Sequence, residues 1–243
     1  MNLDGYCFTN KGGRDLNEDA ADFCKAGGDG IFVVADGLGG HLHGEVASAA
    51  VLRTILQKWQ NDGPQEDRKT WLGEAIAEAN EAVVGEQAQR GGRMKSTVAA
   101  VAIDGDHAAW GNVGDSRVYY LRGSALVGVT ADHSVAYKKY IHGEISRTDI
   151  PFDEDQTSLL RVLGGRDRNE PDLYETVVPL SIGDGFCLCS DGAWEYLYDD
   201  EILIDFLKTG SAQEWAELLL LRIMDRLSGG NDNLSVLTVR AAV

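Results

Sequence analysis

Eight short apolar or alternating segments constrain the fold of this 243-residue chain more than any other feature. Glycine, aspartate or asparagine brackets nearly all of them, which is typical of many short strands joined by tight turns, most of them antiparallel. The predicted strands cover residues 6–9, 31–35, 97–103, 108–113, 118–121, 175–180, 185–189 and 234–239.

Apolar residues recur with a helical period in three longer segments, residues 44–60, 71–90 and 212–227. Because the helices are segregated between two clusters of strands, we expect an α+β fold. It would be a four-layer α/β/β/α sandwich, in which two mainly antiparallel β-sheets pack face to face and helices cover their outer faces. We expect residues 1–243 to form one catalytic domain, with a polar, mobile flap at about residues 132–170.

The charge of the chain limits its partners. Lys and Arg total 22 and Asp and Glu total 39, which gives a formal net charge of −17. This excess argues against nucleic acid or an anionic membrane as a partner, and it would repel an anionic substrate unless cations reverse the sign locally. No segment approaches the roughly 18 apolar residues of a membrane helix, and the first residues do not resemble a secretion signal. We therefore expect a cytoplasmic protein.

Five aspartates follow the apolar-strand-then-turn pattern. An acid at a strand end beside glycine can bring its oxygens, and the neighbouring backbone carbonyl, to a common point without crowding. Carboxylates without a cysteine cluster favour Mg²⁺, Mn²⁺ or Ca²⁺ over a structural zinc. For any single one the alternative is a plain turn residue, since aspartate–glycine pairs are common in turns. The five are Asp19, Asp36, Asp115, Asp191 and Asp232.

Seven motifs, taken in order, resemble those of a known family. They read RDLNEDA, VVADGLGGH, KSTVAAV, GNVGDSRVY, TADHS, CLCSDGAWE and GGNDNLSVL. Each is weak alone, but their succession from about residue 5 to 240 is similar to that of the metal-dependent serine/threonine protein phosphatases. The resemblance is to the bacterial branch of this PPM family, the type 2C group. It implies a β-sandwich flanked by helices that holds two metals, with a metal-bridging hydroxide attacking the phosphorus in line.

The resemblance also implies a role for each matching residue. Asp36 would bridge both metals, and the backbone carbonyl of Gly37 would ligate one of them. The expected cofactors are two or three divalent cations, Mn²⁺ or Mg²⁺, since a pair of such ions lowers the pKa of a shared water and clamps an in-line displacement. The remaining positions would be Asp191 and Asp232 at the second metal, and Glu18 and Asp19 holding metal-bound waters.

Two more residues take roles from the resemblance. Arg14, five residues before Asp19, matches the phosphate-binding arginine of the family, and its guanidinium fork suits phosphate oxygens. Without the NED that follows it, a solvated surface arginine would be the better interpretation. Asp115, with Asp191, resembles a third, weaker metal site of the bacterial members; its alternative role is structural, as a cap of the turn that follows.

The chain departs from the family pattern at two places. Leu38 stands where many eukaryotic relatives have a histidine proposed to protonate the leaving group, so no general acid is implied. His41 and His43 are nearby candidates, although a histidine after a Gly-Gly turn more often caps or packs. The flap lacks the His-Pro-x-x-Asn element of bacterial relatives. Only Arg161 and the RVLG end match there, which leaves Arg161 as a candidate substrate-binding residue.

The function implied is hydrolysis of phosphoserine and phosphothreonine in proteins, opposing a Ser/Thr kinase in bacterial signalling. The expected partners are phosphoprotein substrates and a cognate kinase, and we expect a monomer. One alternative is a catalytically weak pseudophosphatase that binds phosphoproteins as a regulatory partner; the intact carboxylates argue against it, and the altered flap leaves it open. Another is an acidic calcium-binding module, although the EF-hand pattern of alternating acids is absent.

Overall fold

The computed structural model describes residues 1–38, 43–165 and 169–243, and in these residues the strands form two antiparallel sheets. The first sheet contains β1 (Asn2–Asn10), β7 (Arg117–Arg122), β8 (Ala125–Val129), β10 (Gly185–Cys189) and β11 (Leu234–Ala242). Its strand order is β1-β11-β10-β7-β8, so the two ends of the chain are paired at one edge.

The second sheet has the order β2-β3-β5-β6-β9, and the short β4 pairs with the end of β3. Consecutive hairpins join β2 to β3 and β5 to β6. Its strands are β2 (Asp19–Ala26), β3 (Asp29–Leu38), β4 (Lys95–Ser96), β5 (Val98–Asp104), β6 (His107–Val113) and β9 (Asp172–Glu175).

Three of the described helices begin at a residue whose side chain accepts from a free backbone N–H group, namely those capped by Asp67, Ser134 and Ser211. Asp67 caps the second helix by accepting from the Thr70 N–H at 3.1 Å, and Ser211 with Glu214 forms a capping box at the last. The helices are α1 (Gly44–Asp62), α2 (Arg68–Arg90), α3 (Val135–Ile141), α4 (Asp191–Trp194), α5 (Asp199–Lys208) and α6 (Ala212–Arg226), with a 3₁₀ helix at Arg147–Phe152.

Alternating side chains of the strands divide the core into layers. In β3, Ile31 and Val33 pack under α1 and α2, whereas Phe32 and Val34 face the other sheet. In β10, Cys187 and its neighbours on the same face pack against α5 and α6. Successive side chains of a strand point to opposite faces, so both sheets are covered on both sides. The predicted four-layer α/β/β/α sandwich is therefore confirmed.

One predicted strand was wrong. Residues 175–180 were predicted as a strand, but β9 ends at Glu175, and Val177 and Val178 are exposed to solvent. Pro179 removes a backbone donor from this run, which opposes sheet pairing. Conversely, β2 was missed because acidic residues interrupt its apolar pattern.

The described part of the flap contains α3, the 3₁₀ helix and the loop that leads to residue 165. One isolated bridge, Ser96 with Leu163, ties it to the body, and a second, Ser134 with Leu159, lies within the flap itself. Among the described residues, none of the helices has the length and apolar character required to cross a bilayer.

Candidate metal centre and active site

A cavity of about 850 Å³ opens where strand ends of both sheets meet, and acidic side chains from both sheets line it. Two of its acids come from the loop before β2 and the end of β3, and others from the residues that follow β6, β10 and α6. The lining includes Arg14, Glu18, Asp36, Gly37, Leu38, His43, Arg93, Lys95, Asp115, Thr157, Asp191, Asp232 and Asn233.

Asp36 lies near the end of β3, directly opposite Asp19 of β2 in the strand register. Its backbone is fixed on the other side by Thr97, the residue between β4 and β5: the Asp36 N–H donates to Thr97 Oγ1 at 3.0 Å, and the Thr97 N–H donates to the Asp36 carbonyl at 2.8 Å. Burial raises the pKa of Asp36 well above its ordinary value, and Asp191, followed by Asp19, raises it further. This carboxylate is therefore costly to ionise without a compensating cation.

Asp19 is only 7 % exposed and is fixed by two hydroxyl groups. Its Oδ2 accepts from Ser190 Oγ at 2.7 Å and from Ser235 Oγ at 2.8 Å, while the buried Oδ1 has no hydrogen-bond partner. Burial raises the pKa of Asp19 to about 6, although both hydroxyls oppose the shift. One oxygen is thus held in place and the other is left free for a ligand.

Asp191 and Asp115 form a second pair of neighbouring acids. Asp191 begins α4, and its Oδ1 accepts from the Gly192 N–H at 2.7 Å. Asp115 is 3 % exposed with a buried, unpartnered Oδ1, and its backbone carbonyl accepts from the Trp194 indole at 2.9 Å. Burial and then Asp232 raise the pKa of Asp191 to about 7, and burial and then Asp191 raise the pKa of Asp115 well above its ordinary value.

The backbone around Gly37 has no space for a side chain. A Cβ at Gly37 would overlap the Gly44 carbonyl and would lie 2.6 Å from the Glu18 carbonyl oxygen. The Gly37 N–H donates to that same Glu18 carbonyl at 3.1 Å, and Ser48 Oγ donates to it as well. Glycine is therefore required where the end of β3, the Glu18 loop and the start of α1 meet.

Arg14 and Asp232 are paired at the mouth of the cavity. Arg14 Nη2 donates to Asp232 Oδ2 at 2.7 Å, and Asp232 Oδ1 accepts from the Asn233 N–H at 2.7 Å. The Arg14 side chain is 58 % exposed, so much of its guanidinium faces solvent and can meet an incoming anion.

These residues fit oxygen-preferring divalent cations. Asp19 and Asp115 each have a buried oxygen without a partner, and burial, followed by mutual repulsion, raises the pKa of the buried acids Asp36 and Asp115. Within residues 1–38, 43–165 and 169–243, however, no three acidic, His or Cys side chains already surround one metal position. Asp232 is turned to Arg14 and Asn233, and the predicted set also uses the Gly37 carbonyl and waters, which are not side chains.

Comparison with known proteins agrees with this chemistry. Residues 11–219 match the protein phosphatase 2C family. The chain belongs to this family. It is 34 % identical over 215 residues to the serine/threonine phosphatase stp of Listeria welshimeri, covering 86 % of this chain and 83 % of that protein.

Solved phosphatase structures share the fold over the whole chain. The structure of the serine/threonine phosphatase PstP/Ppp of Mycobacterium tuberculosis has a TM-score of 0.86 and 28 % identity, with 100 % of both chains covered. The catalytic domain of PstP in complex with two manganese ions has a TM-score of 0.85 and 28 % identity, with 99 % of both chains covered. Asp232 lies beyond the segment matched to the family, so its position comes from the present structure.

Two predicted site residues, Asp19 and Arg161, do not line the cavity of this phosphatase 2C family member. Asp19 lies opposite Asp36 in the strand register, whereas Arg161 is paired at the flap: its Nη1 donates to Asp172 Oδ1 at 2.6 Å. His133 Nε2 lies 3.2 Å from the other Asp172 oxygen, while His133 Nδ1 accepts from the Gly114 N–H. These contacts hold the base of the flap, and a substrate-binding role for Arg161 stays a prediction.

The two histidine candidates have different outcomes. His41 lies outside the described residues. His43 lines the cavity and is the N-cap residue of α1, at φ 73°, a left-handed conformation that a non-glycine residue rarely adopts. Its Nδ1 lies 3.6 Å from Glu45 Oε1.

Asn233 organises the site in a way that sequence reasoning missed. Its side-chain oxygen accepts from the Glu18 N–H at 2.8 Å, and its amide nitrogen donates to the carbonyls of Lys11 and Leu16, each at 2.8 Å. It thereby joins the loop of residues 11–18, which bears Arg14, to the segment near the end of the chain that bears Asp232. The motif GGNDNLSVL contains Asn233, but nothing in the sequence shows which backbone groups it meets.

Proposed function

We propose that this protein is a phosphoprotein phosphatase that hydrolyses phosphoserine and phosphothreonine with two or three divalent cations, Mn²⁺ or Mg²⁺. The observation that carries the proposal is the convergence of acids from both sheets on one cavity that has Arg14 at its mouth. A phosphate monoester is repelled by such a site when it is empty of cations and attracted when cations are bound. The names of the relatives support the same substrate class.

Each acid has a position that suits the role expected for it. Asp36, at the centre of the group, would be shared by two cations, and the Gly37 carbonyl beside it would ligate one. The cations supply Lewis-acid stabilisation of phosphoryl oxygens and a water of lowered pKa. The others, which line the cavity except for Asp19 opposite Asp36, would be Asp191 and Asp232 as direct ligands, Glu18 and Asp19 acting through water, and Asp115 with Asp191 at a weaker third site.

Arg14 would bind and orient the phosphoryl group. Its guanidinium is anchored on one side by Asp232, which leaves N–H donors on the solvent side for two phosphate oxygens. Arg93 and Lys95 also line the cavity and would add positive charge for the approaching anion. During hydrolysis the bond from phosphorus to the seryl or threonyl oxygen breaks, water oxygen takes its place on phosphorus, and the leaving oxygen gains a proton.

Leu38 cannot supply that proton, although it lines the cavity. His43 is a described residue of the lining that could deliver it, because an imidazole nitrogen can carry and donate a proton. The left-handed backbone at His43 adds support, since strained residues are concentrated at functional sites. His43 is therefore the candidate general acid of this proposal.

The wider setting follows from the same chemistry. We propose that the enzyme opposes a Ser/Thr kinase in the cytoplasm, and that residues 1–243 work as one catalytic domain and as a monomer. Coverage of both sheets by helices within one chain supports the last two points. Size-exclusion chromatography with light scattering tests the oligomeric state directly.

The function is tested by phosphate release from matched phosphoserine, phosphothreonine and phosphotyrosine peptides. With Mn²⁺ we expect release from the first two, and Asp36→Asn should lower the rate at least about 100-fold because it removes the shared ligand. Exposed Glu154→Gln is the control and should keep the wild-type rate. Full activity in excess chelator after metal removal would refute the proposal.

The pseudophosphatase alternative is not supported. Every acid that the family resemblance requires is present, and those at the centre of the site are buried as a group. Binding of phosphopeptide without phosphate release, with Mn²⁺ present, is the result that would reverse this conclusion.

A further inference from the structure

The turn that leads from β6 to Asp115 is held by hydrogen bonds to its backbone. The Gly114 carbonyl accepts from the His133 N–H at 2.9 Å and from Asn112 Nδ2 at 3.2 Å. The next carbonyl, that of Asp115, accepts from the Trp194 indole at 2.9 Å. By contrast, the buried Oδ1 of Asp115 has no hydrogen-bond partner among the described residues. The backbone of this turn is therefore fixed, and one carboxylate oxygen is left for a ligand.

The imidazole of His133 makes a second contact with the same glycine. His133 is 6 % exposed, and its Nδ1 accepts from the Gly114 N–H at 3.1 Å. A backbone N–H can only donate, so Nδ1 must carry a lone pair, and the proton of the neutral ring lies on Nε2. Burial lowers the pKa of His133, against the opposing effect of Asp172, which favours the neutral ring. His133 thus holds both the N–H and the carbonyl of Gly114.

Asp172 of β9 lies on the other side of the His133 ring. Its Oδ2 is 3.2 Å from His133 Nε2, and its Oδ1 accepts from Arg161 Nη1 at 2.6 Å. Arg161 Nη1 is also 3.3 Å from His133 Nε2, but both nitrogens carry hydrogen atoms, so they share Asp172 instead of bonding to each other. The Leu160 N–H donates to the His133 carbonyl at 2.7 Å. Polar contacts therefore run from the base of the flap through His133 to the turn before Asp115.

We propose that His133 is a positioning residue for Asp115 and acts through the backbone of Gly114. Its neutral ring, protonated on Nε2 and oriented by Asp172, holds the turn that places Asp115 at the wall of the cavity. Groups around a metal ligand set its orientation and so affect the affinity for the metal. The inference rests on the cation-binding role of Asp115 in the proposed function. It concerns cation affinity and the state of the imidazole, which are measured without turnover.

The first test compares two substitutions that each keep one half of the imidazole. Asparagine places its oxygen near the position of Nδ1, so His133→Asn keeps an acceptor for the Gly114 N–H, whereas His133→Gln places its amide near Nε2 and loses that acceptor. Loss of an outer hydrogen bond around a metal site weakens binding by about 10- to 100-fold. We expect His133→Gln to weaken the weakest Mn²⁺-binding step at least about tenfold, and His133→Asn to weaken it less than about threefold. Exposed His142→Asn is the control and should leave every step unchanged.

The affinities are measured by titration with Mn²⁺, in which electron paramagnetic resonance reports the free cation. Thermal unfolding without cations shows whether each variant is folded. In an Asp115→Asn background, His133→Gln should change the remaining affinities by less than about twofold. Equal weakening by His133→Asn and His133→Gln, or an unaltered affinity in folded His133→Gln protein, would indicate a role in packing alone and overturn the proposal. A wild-type chain that binds only two Mn²⁺ would overturn it as well.

The second test needs no substitution. In long-range ¹H–¹⁵N NMR spectra of the Mg²⁺-loaded chain at pH 7, we expect a neutral His133 ring that is protonated on Nε2. A ring protonated on Nδ1, or on both nitrogens, could not accept from the Gly114 N–H. Either result would refute the proposal, even if His133→Gln failed to fold.

The failures can be told apart. If the Mn²⁺ affinities change as expected but no phosphopeptide is hydrolysed, the proposed function is wrong and the role of His133 stands. If phosphopeptides are hydrolysed while His133→Gln binds Mn²⁺ as the wild type does, only the role of His133 is wrong. If Asp115→Asn leaves every Mn²⁺-binding step intact, the assignment of Asp115 fails, and the role of His133 fails with it.

Discussion

Raising the pH should destabilise the cation-free protein, and Asp19 makes this effect measurable. Burial raises the pKa of Asp19 from its ordinary value of 3.8 to about 6. The folded chain therefore holds this proton more tightly than the unfolded chain does. The stability that results is fully present below about pH 4 and is lost as the pH rises through about 6.

The size of the effect follows from the shift. A change of about 2 pKa units corresponds to about 3 kcal/mol at roughly 1.4 kcal/mol per unit. For a chain of this length, 1 kcal/mol moves Tm by roughly 2–4 °C, so Asp19 alone predicts a fall of roughly 6–12 °C. The pKa of Asp191, raised by burial and then by Asp232, acts in the same direction up to about pH 7. Because these acids are coupled, their contributions do not add.

The measurement is thermal unfolding of chelator-treated protein between pH 4 and 8, compared with Asp19→Asn. The variant cannot titrate at this position and still offers an oxygen to Ser190 and Ser235. As the pH rises, its Tm should therefore fall by roughly 6–12 °C less than the Tm of the wild type. The comparison removes the general effect of net charge, which both proteins share. Parallel curves for the two proteins, or a wild-type Tm that rises with pH, would refute the reasoning. Saturating Mn²⁺ should abolish most of the difference from pH 6 upward.

Three further substitutions probe the geometry of the site. Asn233→Ala removes three hydrogen bonds to the loop that bears Arg14. Urea unfolding should therefore show a loss of about 3 kcal/mol of stability, and peptide assays a loss of most of the phosphatase rate. Asn233→Asp is the control, because it keeps the acceptor to the Glu18 N–H. Gly37→Ala should weaken Mn²⁺ binding, because the added Cβ would overlap the Gly44 carbonyl. Titration with Mn²⁺ measures this effect. An affinity equal to that of the wild type would contradict the close packing described at this turn. His43→Gly should raise the unfolding free energy by about 1 kcal/mol, because glycine adopts the left-handed backbone conformation without strain. If His43 donates the proton to the leaving oxygen, the rate of phosphate release at pH 7 should fall in this variant. An unchanged rate excludes that role.

The sandwich could be predicted because the alternation of side chains that marks each strand is visible within a few consecutive residues. Alternation in β3 assigns Ile31 and Val33 to one face and Phe32 to the other, and the structure places them under the helices and between the sheets respectively. The strand β2 was missed because the acidic Asp19 and the exposed, acidic Asp22 interrupt its apolar pattern, so only its pairing with β3 defines it. The order of strands depends on pairing across the whole chain, such as β1 with β11, which no local pattern encodes.

The residues of the site likewise fall into those that could be predicted from sequence and those that could not. Acids at strand ends could be found from sequence because glycine or a turn follows each of them. The residues that fix those acids could not, since Ser190 and Ser235 meet Asp19 from positions about 170 and 215 residues away in the chain. A serine beside an apolar strand carries no signal of such a contact.

The placement of the acids makes the metal centre part of the packing between the sheets. Asp19 and Asp36 belong to one sheet, whereas Asp191 and Asp232 adjoin β10 and β11 of the other. Closing the sandwich therefore brings like charges together, in a chain whose net charge is already −17. Two divalent cations would offset four carboxylate charges at this junction. Binding to the folded state alone adds about 2.7 kcal/mol when the free cation is at 100 times its Kd. Mn²⁺ should consequently raise the unfolding temperature of both sheets together, and stabilisation confined to the loops around the cavity would contradict a centre that joins them.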